Sequence, residues 1–244
     1  MPHSRKFLVP KRLMNWILHL TVLFVIQKLS ITFFKAIYKE DADVNYYLNI
    51  FFAPFTLSLI LIVNACYIFI YYTNLPYFRK LKANNVPWPW EEDLERFKKI
   101  LPEMIVTYMS NMFVLTPLYI NIIFRIWKID ISMEGIPSFL RFFITTWMCY
   151  IVEDFIFYWA HRLIHLPRFY WVHKKHHKNV NTFHLACVYT HWIEYLLGVV
   201  FPLFAGAMIL QKYIHVTSVV AATAFRIIET HESHGGIEFE YSLF

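Results

Sequence analysis

Residues 46–72 carry no charged side chain. At about 1.5 Å of rise per residue, a helix of that length outspans a hydrocarbon core about 30 Å thick. In lipid every backbone N–H and C=O must be satisfied inside the segment, and a single run this long does so only as a helix. Tyr46, Tyr47, Tyr71 and Tyr72 bracket it as interface anchors. This run sets the class: an all-α, polytopic membrane protein. Residues 104–124 are again uncharged and give a second span, with the polar stretch 74–99 between. Residues 139–160 give a third, with Glu153 and Asp154 near its far end. Residues 195–225 are apolar apart from Lys212, with Pro202 and Gly206 inside, too long for one straight span. They read as a hairpin or a broken helix returning to the same side. The expectation is about four transmembrane helices under a cytosolic, histidine-rich helical cap.

Residues 13–27 are apolar, but Lys28 cuts them short of the roughly 20 residues a span needs. They read as an interfacial helix, the alternative being a span whose lysine snorkels. With Arg5, Lys6, Lys11 and Arg12 they make a basic segment over 1–40, uncleaved because no small-residue cleavage site follows. Residues 41–244 form one membrane domain. Only 16% of the chain is charged, against about 25% in soluble domains. The net charge of +6 fits a positive-inside bias, and without a basic stripe among exposed aromatics it does not point to nucleic acid. Arg79, Lys80 and Lys82 put the 74–99 connection on the cytosolic side, and Arg162, Arg168, Lys174, Lys175 and Lys178 do the same beyond the third span. The PWPW stretch in that connection reads as a solvated loop before an acid-rich helix start rather than a docking surface. Cys66, Cys149 and Cys187 are far apart and form no disulfide framework, as on a reducing cytosolic face.

The chemistry lies in Asp154 to His177, DFIFYWAHRLIHLPRFYWVHKKHH. His161 and His165 are four apart, and His173, His176 and His177 form an HxxHH cluster. Helical positions three and four apart share a face, so each group aims imidazoles at one point. Asp154, Tyr158, His161 and His165 form one stripe on an otherwise apolar helix, where such residues mark function. Asp154 and Glu153 are placed to accept the second ring N–H of a metal-bound histidine. His184, His191 with Glu194, and the run Glu229 to Gly236 with His231 and His234 extend the set. HRLIH has the spacing of a zinc-protease helix, but Arg162 stands where that chemistry needs a glutamate. A structural zinc site usually employs cysteine, and none lies among these histidines. More than four imidazoles in two clusters point to two metals, and non-haem iron that activates O2 fits a site beside lipid.

HRLIH at 161–165 followed by HKKHH at 173–177 resembles the fatty acid hydroxylase superfamily of membrane di-iron enzymes. ED at 153–154, VYTHWIE at 188–194 and RIIETHESHGG at 226–236 are similar to words of its sterol C4-methyl oxidase branch, which reads YAHPLE and ETxxxHSG in the last two places. The resemblance implies an endoplasmic reticulum membrane protein with cytosolic histidine clusters. It implies oxidation of a C–H bond of a sterol or other lipid in lipid biosynthesis. It implies two irons, O2, and electrons from NAD(P)H through a reductase and cytochrome b5. Carried over by position, His161, His165, His173, His176, His177 and His234 match metal ligands, and Asp154 and His191 match positions expected to assist catalysis. His184 and His231 have no counterpart. Trp192 stands where the branch has proline, and the family's third HxxHH, expected after His234, does not occur before Phe244, so 41–244 reads as a C-terminally incomplete domain. Glu229, Glu232, Glu238 and Glu240 are the carboxylates at hand to make up a ligand set. The alternative function is a catalytically incompetent membrane scaffold or lipid-binding relative; a histidine-relay metal transporter ranks last.

Overall fold

The computed structural model describes residues 8–84, 86–124, 128–178, 183–239 and 242. Arg5, Lys6 and Glu240 lie outside the described residues. Six long helices carry the architecture: α1 (Leu8–Ile37), α2 (Val44–Thr73), α3 (Leu94–Ile123), α4 (Phe139–Ile164), α5 (Trp192–Tyr213) and α6 (Val216–His234). No strand occurs among the described residues, so the chain is all-α as its apolar runs dictate.

Four of the helices, Leu13–Ile37 within α1 and all of α2, α3 and α5, are long and apolar enough to cross a membrane. The uncharged runs 46–72 and 104–124 sit inside two of them. The α1 helix does not stop at Lys28. That side chain lies along the helix with Nζ 5.1 Å from the Phe24 ring centre, while Leu23, Gln27, Ser30 and Phe34 are buried at spacings of four, three and four on the opposite face. Gln27 Nε2 donates to Pro137 O at 3.2 Å. Length and composition thus let residues 13–37 cross, the second of the two readings open for this stretch.

Residues 139–160 are helical as expected, but α4 is not among those four. Arg141, Glu153, Asp154 and Arg162 dilute its apolar surface; one face packs against α5, α6 and α1, while Leu140, Ile144, Ile151 and Phe155 on the other are exposed. Gly206 of α5 makes the α4 crossing close: a Cβ there would overlap Cys149 Cα. Residues 195–225 form the hairpin. The α5 helix runs out, Gln211 turns the chain at φ 45°, and α6 returns to the same end. Residues 214–225 are all buried, so the first half of α6 is the centre of the bundle, where Ser218, Ala221, Ala222 and Ala224 let neighbours approach.

Three helices widen at one level. The wider, π-type turns Leu48–Phe52, Asn111–Leu115 and Tyr195–Val200 each lie just ahead of a proline, Pro54, Pro117 and Pro202. Proline offers no N–H and crowds the carbonyl four residues back, and a turn widened to i→i+5 relieves both effects.

Candidate metal centre

The C-terminal ends of α2, α4 and α6 and the N-terminal ends of α3 and α5 meet at one end of the bundle, and the histidines gather there. His161 and His165, one turn apart on α4 and its C-terminal cap, hold their Nε2 atoms 3.0 Å apart. The HKKHH turn folds back over them. His173 Nε2 lies 3.1 Å from His165 Nε2, and His177 Nε2 lies 2.7 Å from His173 Nε2. Ligand nitrogens of His161, His165 and His173 all fall within 4.8 Å of one another. Lys175 pins the turn to α3, its Nζ donating to Thr107 Oγ1 at 2.9 Å and pairing with Glu103 at 3.3 Å.

His173 is wholly buried, and its Nδ1 meets Glu194 Oε1 at 2.6 Å. A carboxylate only accepts, so Nδ1 carries the proton and Nε2 turns its lone pair onto the other imidazoles. That is the arrangement by which a carboxylate orients a metal-ligating histidine.

His176 and His234 make a second focus beside the first. Their Nε2 atoms lie 3.4 Å apart, and His234 Nδ1 donates to Thr230 O at 2.9 Å, which directs its other nitrogen to His176. The His173 and His176 ring centres are 5.5 Å apart, so the foci adjoin. Burial, then the neighbouring His234, pushes the His176 pKa down to about 3, which keeps the ring neutral and its lone pair available. His176 Nδ1 is buried without a hydrogen-bond partner. Imidazole lone pairs turned on one another at these distances repel unless a cation or proton lies between them. An all-imidazole set with an orienting carboxylate fits a borderline metal such as iron.

The structure brings together His161, His165, His173, His176, His177 and His234. It keeps the other two expected residues apart from them. Asp154 is exposed on α4, while Glu153 turns inward and accepts from Arg226 Nε of α6 at 2.9 Å. Arg226 also donates to Glu229 at 2.8 Å. His191 caps α5, its Nδ1 accepting from Ile193 N at 3.2 Å, and packs against Trp171. The carboxylate on the cluster is Glu194, the only acid between residues 155 and 228 and hence visible in the sequence as an isolated charge opening an apolar helix.

His231 and His184 are also buried beside the centre. His231 Nδ1 donates to Ile227 O at 2.7 Å, and its Nε2 has only longer approaches, 3.4 Å to Tyr108 OH and 3.5 Å to Asn64 Nδ2. His184 stacks on Tyr67 with neither ring nitrogen hydrogen-bonded, and burial, then His231, pushes its pKa down to about 3. The PWPW segment belongs to this end too: Trp88 and Trp90 pack on Tyr71 at 4.9 and 5.2 Å, so it is fastened to the bundle.

A cavity of about 330 Å³ lies against α6 between α2, α3 and α5, where the three widened turns face one another. Its wall is mostly apolar, with Phe52, Ile60, Val199 and Phe204 prominent, and exposed lining residues Asn49, Pro54 and Phe113 mark a mouth on the outer surface of α2 and α3. Its α6 wall ends on Arg226, Thr230 and His231, one turn before His234.

Comparison with known proteins points to one family. Residues 146–244 match the family model described as fatty acid hydroxylase. The chain is 27% identical over 169 residues to methylsterol monooxygenase 1 of Gallus gallus, covering 67% of this chain and 53% of that protein. It is 33% identical over 99 residues to methylsterol monooxygenase 2-2 of Arabidopsis thaliana, covering 38% and 35%. It is 27% identical over 153 residues to the fatty acid hydroxylase ahd1 of Mycosarcoma maydis, covering 61% and 38%. The chain thus spans about half the chicken protein's length and less of the other two. No solved structure matches it. The stretch from residue 146 to 244, which holds every histidine of this centre, is a fatty acid hydroxylase domain with methylsterol monooxygenases among its relatives.

Proposed function

We propose that this protein is a membrane-bound non-haem di-iron oxygenase that oxidises a C–H bond of a sterol or other lipid. One observation carries the reading: imidazole lone pairs converge at two adjoining foci, and one turn of α6 before His234 lies the wall of a mostly apolar cavity that opens on the outer surface of two spans. His161, His165, His173 and His177 would hold one iron, and His176 and His234 would contribute to the second. Iron held there would supply the redox chemistry and the activation of O2, with electrons coming from NAD(P)H by way of a reductase and cytochrome b5.

The chain's own residues supply the rest. Glu194 keeps the proton on His173 Nδ1. His191 positions Glu194 by capping the helix that bears it. The cavity wall holds an apolar molecule in reach of the centre and excludes water, which prevents side reactions. The Arg226 pair with Glu153 fixes α6 against α4 and so keeps His234 in register with His161. Asp154, expected to assist catalysis, lies outside these contacts and takes no step in this reading. The relatives' names support a sterol substrate, and basic residues at the histidine-bearing end support a cytosolic centre in an endoplasmic reticulum membrane.

The test is oxidation of a sterol and lipid panel by detergent-purified, iron-loaded protein with a reductase, cytochrome b5 and O2. Product formation that disappears in His173→Ala is expected. A protein with bound iron that oxidises nothing in the panel would instead fit a scaffold or lipid-binding role.

A further inference from the structure

The outer face of α4 carries an exposed apolar stripe along its whole length. Leu140, Ile144, Ile151, Phe155, Trp159 and Leu163 follow one another at whole helical turns, and each is at least half exposed. The helix has 26 residues, about 39 Å of rise, and so outspans a hydrocarbon core about 30 Å thick. Its level is set by α5, which runs beside it in the opposite direction. Arg141 Nη2 donates to Tyr213 O at 3.3 Å, at the far end of the span Trp192–Tyr213. That span has 22 residues, and 22 residues of α4 counted from Arg141 end at Arg162. Arg162 is thus close to level with Trp192, at the histidine-side end of the span. The stripe between Arg141 and Arg162 lies at the depth of lipid tails. Tyr158 and Trp159 lie at the interface, where amphipathic rings gather.

The cations at this level lack carboxylate partners. At the other end of α4, Arg141 faces Asp130 at 3.9 Å, and in the HKKHH turn Lys175 pairs with Glu103 at 3.3 Å. Arg162, Arg168 and Lys174 are exposed, and none pairs with a carboxylate among the described residues. The two arginines lie among aromatic rings instead. The Arg162 guanidinium sits over Trp159 at 5.5 Å and donates to Tyr158 OH at 3.0 Å, and Arg168 sits over Phe169 at 5.8 Å. Most of their N–H donors stay available to an outside acceptor. A guanidinium offers paired donors that match a phosphate, and basic residues at a membrane surface attract anionic lipid. A second copy of the chain fits this face poorly. A twofold axis along the membrane normal would bring the same cations of both copies to one level, charge against like charge.

We propose that Arg162 and Arg168 bind the head group of an anionic phospholipid in the leaflet on the histidine side, with its acyl chains along Phe155, Trp159 and Leu163. The site is on the outer face of α4, away from the cavity between α2, α3, α5 and α6. It requires neither iron nor turnover and stands whatever the protein oxidises. Arg162 lies between His161 and His165 in the chain, so a lipid held there also braces the helix end that supplies two imidazoles of the centre.

The test is equilibrium binding of phosphatidylserine and phosphatidylcholine with identical acyl chains to the full-length, detergent-purified protein, read by native mass spectrometry. Brominated chains, which quench tryptophan fluorescence, report where the lipid lies. Two arginines at about fivefold each predict that the wild type holds the serine lipid roughly 25-fold tighter than the choline lipid. Arg162→Gln and Arg168→Gln should each lower that preference about fivefold and leave choline-lipid affinity unchanged, which also reports that the variants fold. Arg162→Lys, which keeps the charge without the planar fork, should retain most of it. The extra quenching by the brominated serine lipid over the choline lipid should vanish in Trp159→Phe. Should Arg162→Gln bind neither lipid, Arg168→Gln decides: a lowered preference supports the inference and an unchanged one overturns it. Equal binding of the two lipids by the wild type, or a preference that survives loss of both arginines, would overturn the inference. So would displacement by soluble glycerophosphoserine at the lipid's own concentration, because the ligand would then be a soluble anion. A dimeric wild type with Trp159 shielded from both brominated lipids would assign the face to a second copy and overturn it as well.

Discussion

The histidine centre and the cavity beside it are built in opposite ways. Five of the six converging imidazoles come from residues 161–177, one helix end and the turn that folds over it. The cavity draws its wall from α2, α3, α5 and α6, far apart in sequence, and exists because three of those helices widen at the same level ahead of Pro54, Pro117 and Pro202. The centre is held by short polar contacts, such as the 2.6 Å bond from His173 to Glu194. The cavity is held by apolar packing. Metal chemistry is thus encoded locally, and the shape that admits a substrate is encoded by the meeting of distant segments.

The comparison can be broken first at its polar half. His173→Ala removes the imidazole shared by the contacts to His165, His177 and Glu194 and leaves Glu194 buried without its partner. Loss of iron to below half the wild-type content is expected by elemental analysis, with oxidation at background. Unpairing Glu194 adds about 1–3 kcal/mol of destabilisation, read by thermal unfolding in detergent. A gentler change sharpens the point. Glu194→Gln can still accept from His173 Nδ1 but lacks the charge, so the fold should persist while iron affinity, measured by chelator competition, falls about 10- to 100-fold.

The helix scaffold responds to different substitutions. Gly206→Ala puts a methyl group against Cys149 Cα, and overpacking of this kind costs about 1–3 kcal/mol. A lowered unfolding temperature with iron per folded chain unchanged is expected. The smallest effect belongs to Pro202→Ala, which removes the reason for the widened turn Tyr195–Val200 and lets α5 tighten. Sterol affinity should fall a few-fold with iron content and thermal stability near wild type. A proline variant that instead lost iron would dissolve the distinction between the two regions.

This division also explains what the sequence made legible. Helical spacing placed His161 with His165, because neighbours at i and i+4 on one helix meet whatever the tertiary context; His173 and His177 meet instead across a turn, and His176 turns to His234. The uncharged runs placed α2 and α3 because lipid leaves a backbone no other choice. The stripe rule was less informative for Asp154. That residue shares a helical face with His161, yet Glu153 is the acid that turns into the bundle, because Arg226 waits there on α6. A partner 73 residues away does not show in local periodicity. Glu194 is legible in the sequence only as the acid beside His191, because its contact depends on α5 docking against the HKKHH turn. The cavity was the least legible. A proline in an apolar run reads as a kink, and only packing brings three widened turns to one level. Nor does composition distinguish α6, enclosed by protein, from a helix that faces lipid.

The central claim is that the gathered imidazoles form a site for two irons, and metal content tests it most directly. Detergent-purified protein grown with iron should carry two irons per chain by elemental analysis, and His161→Ala and His173→Ala should each lose most of it. A wild-type protein without iron, or iron that survives both substitutions, would contradict the account.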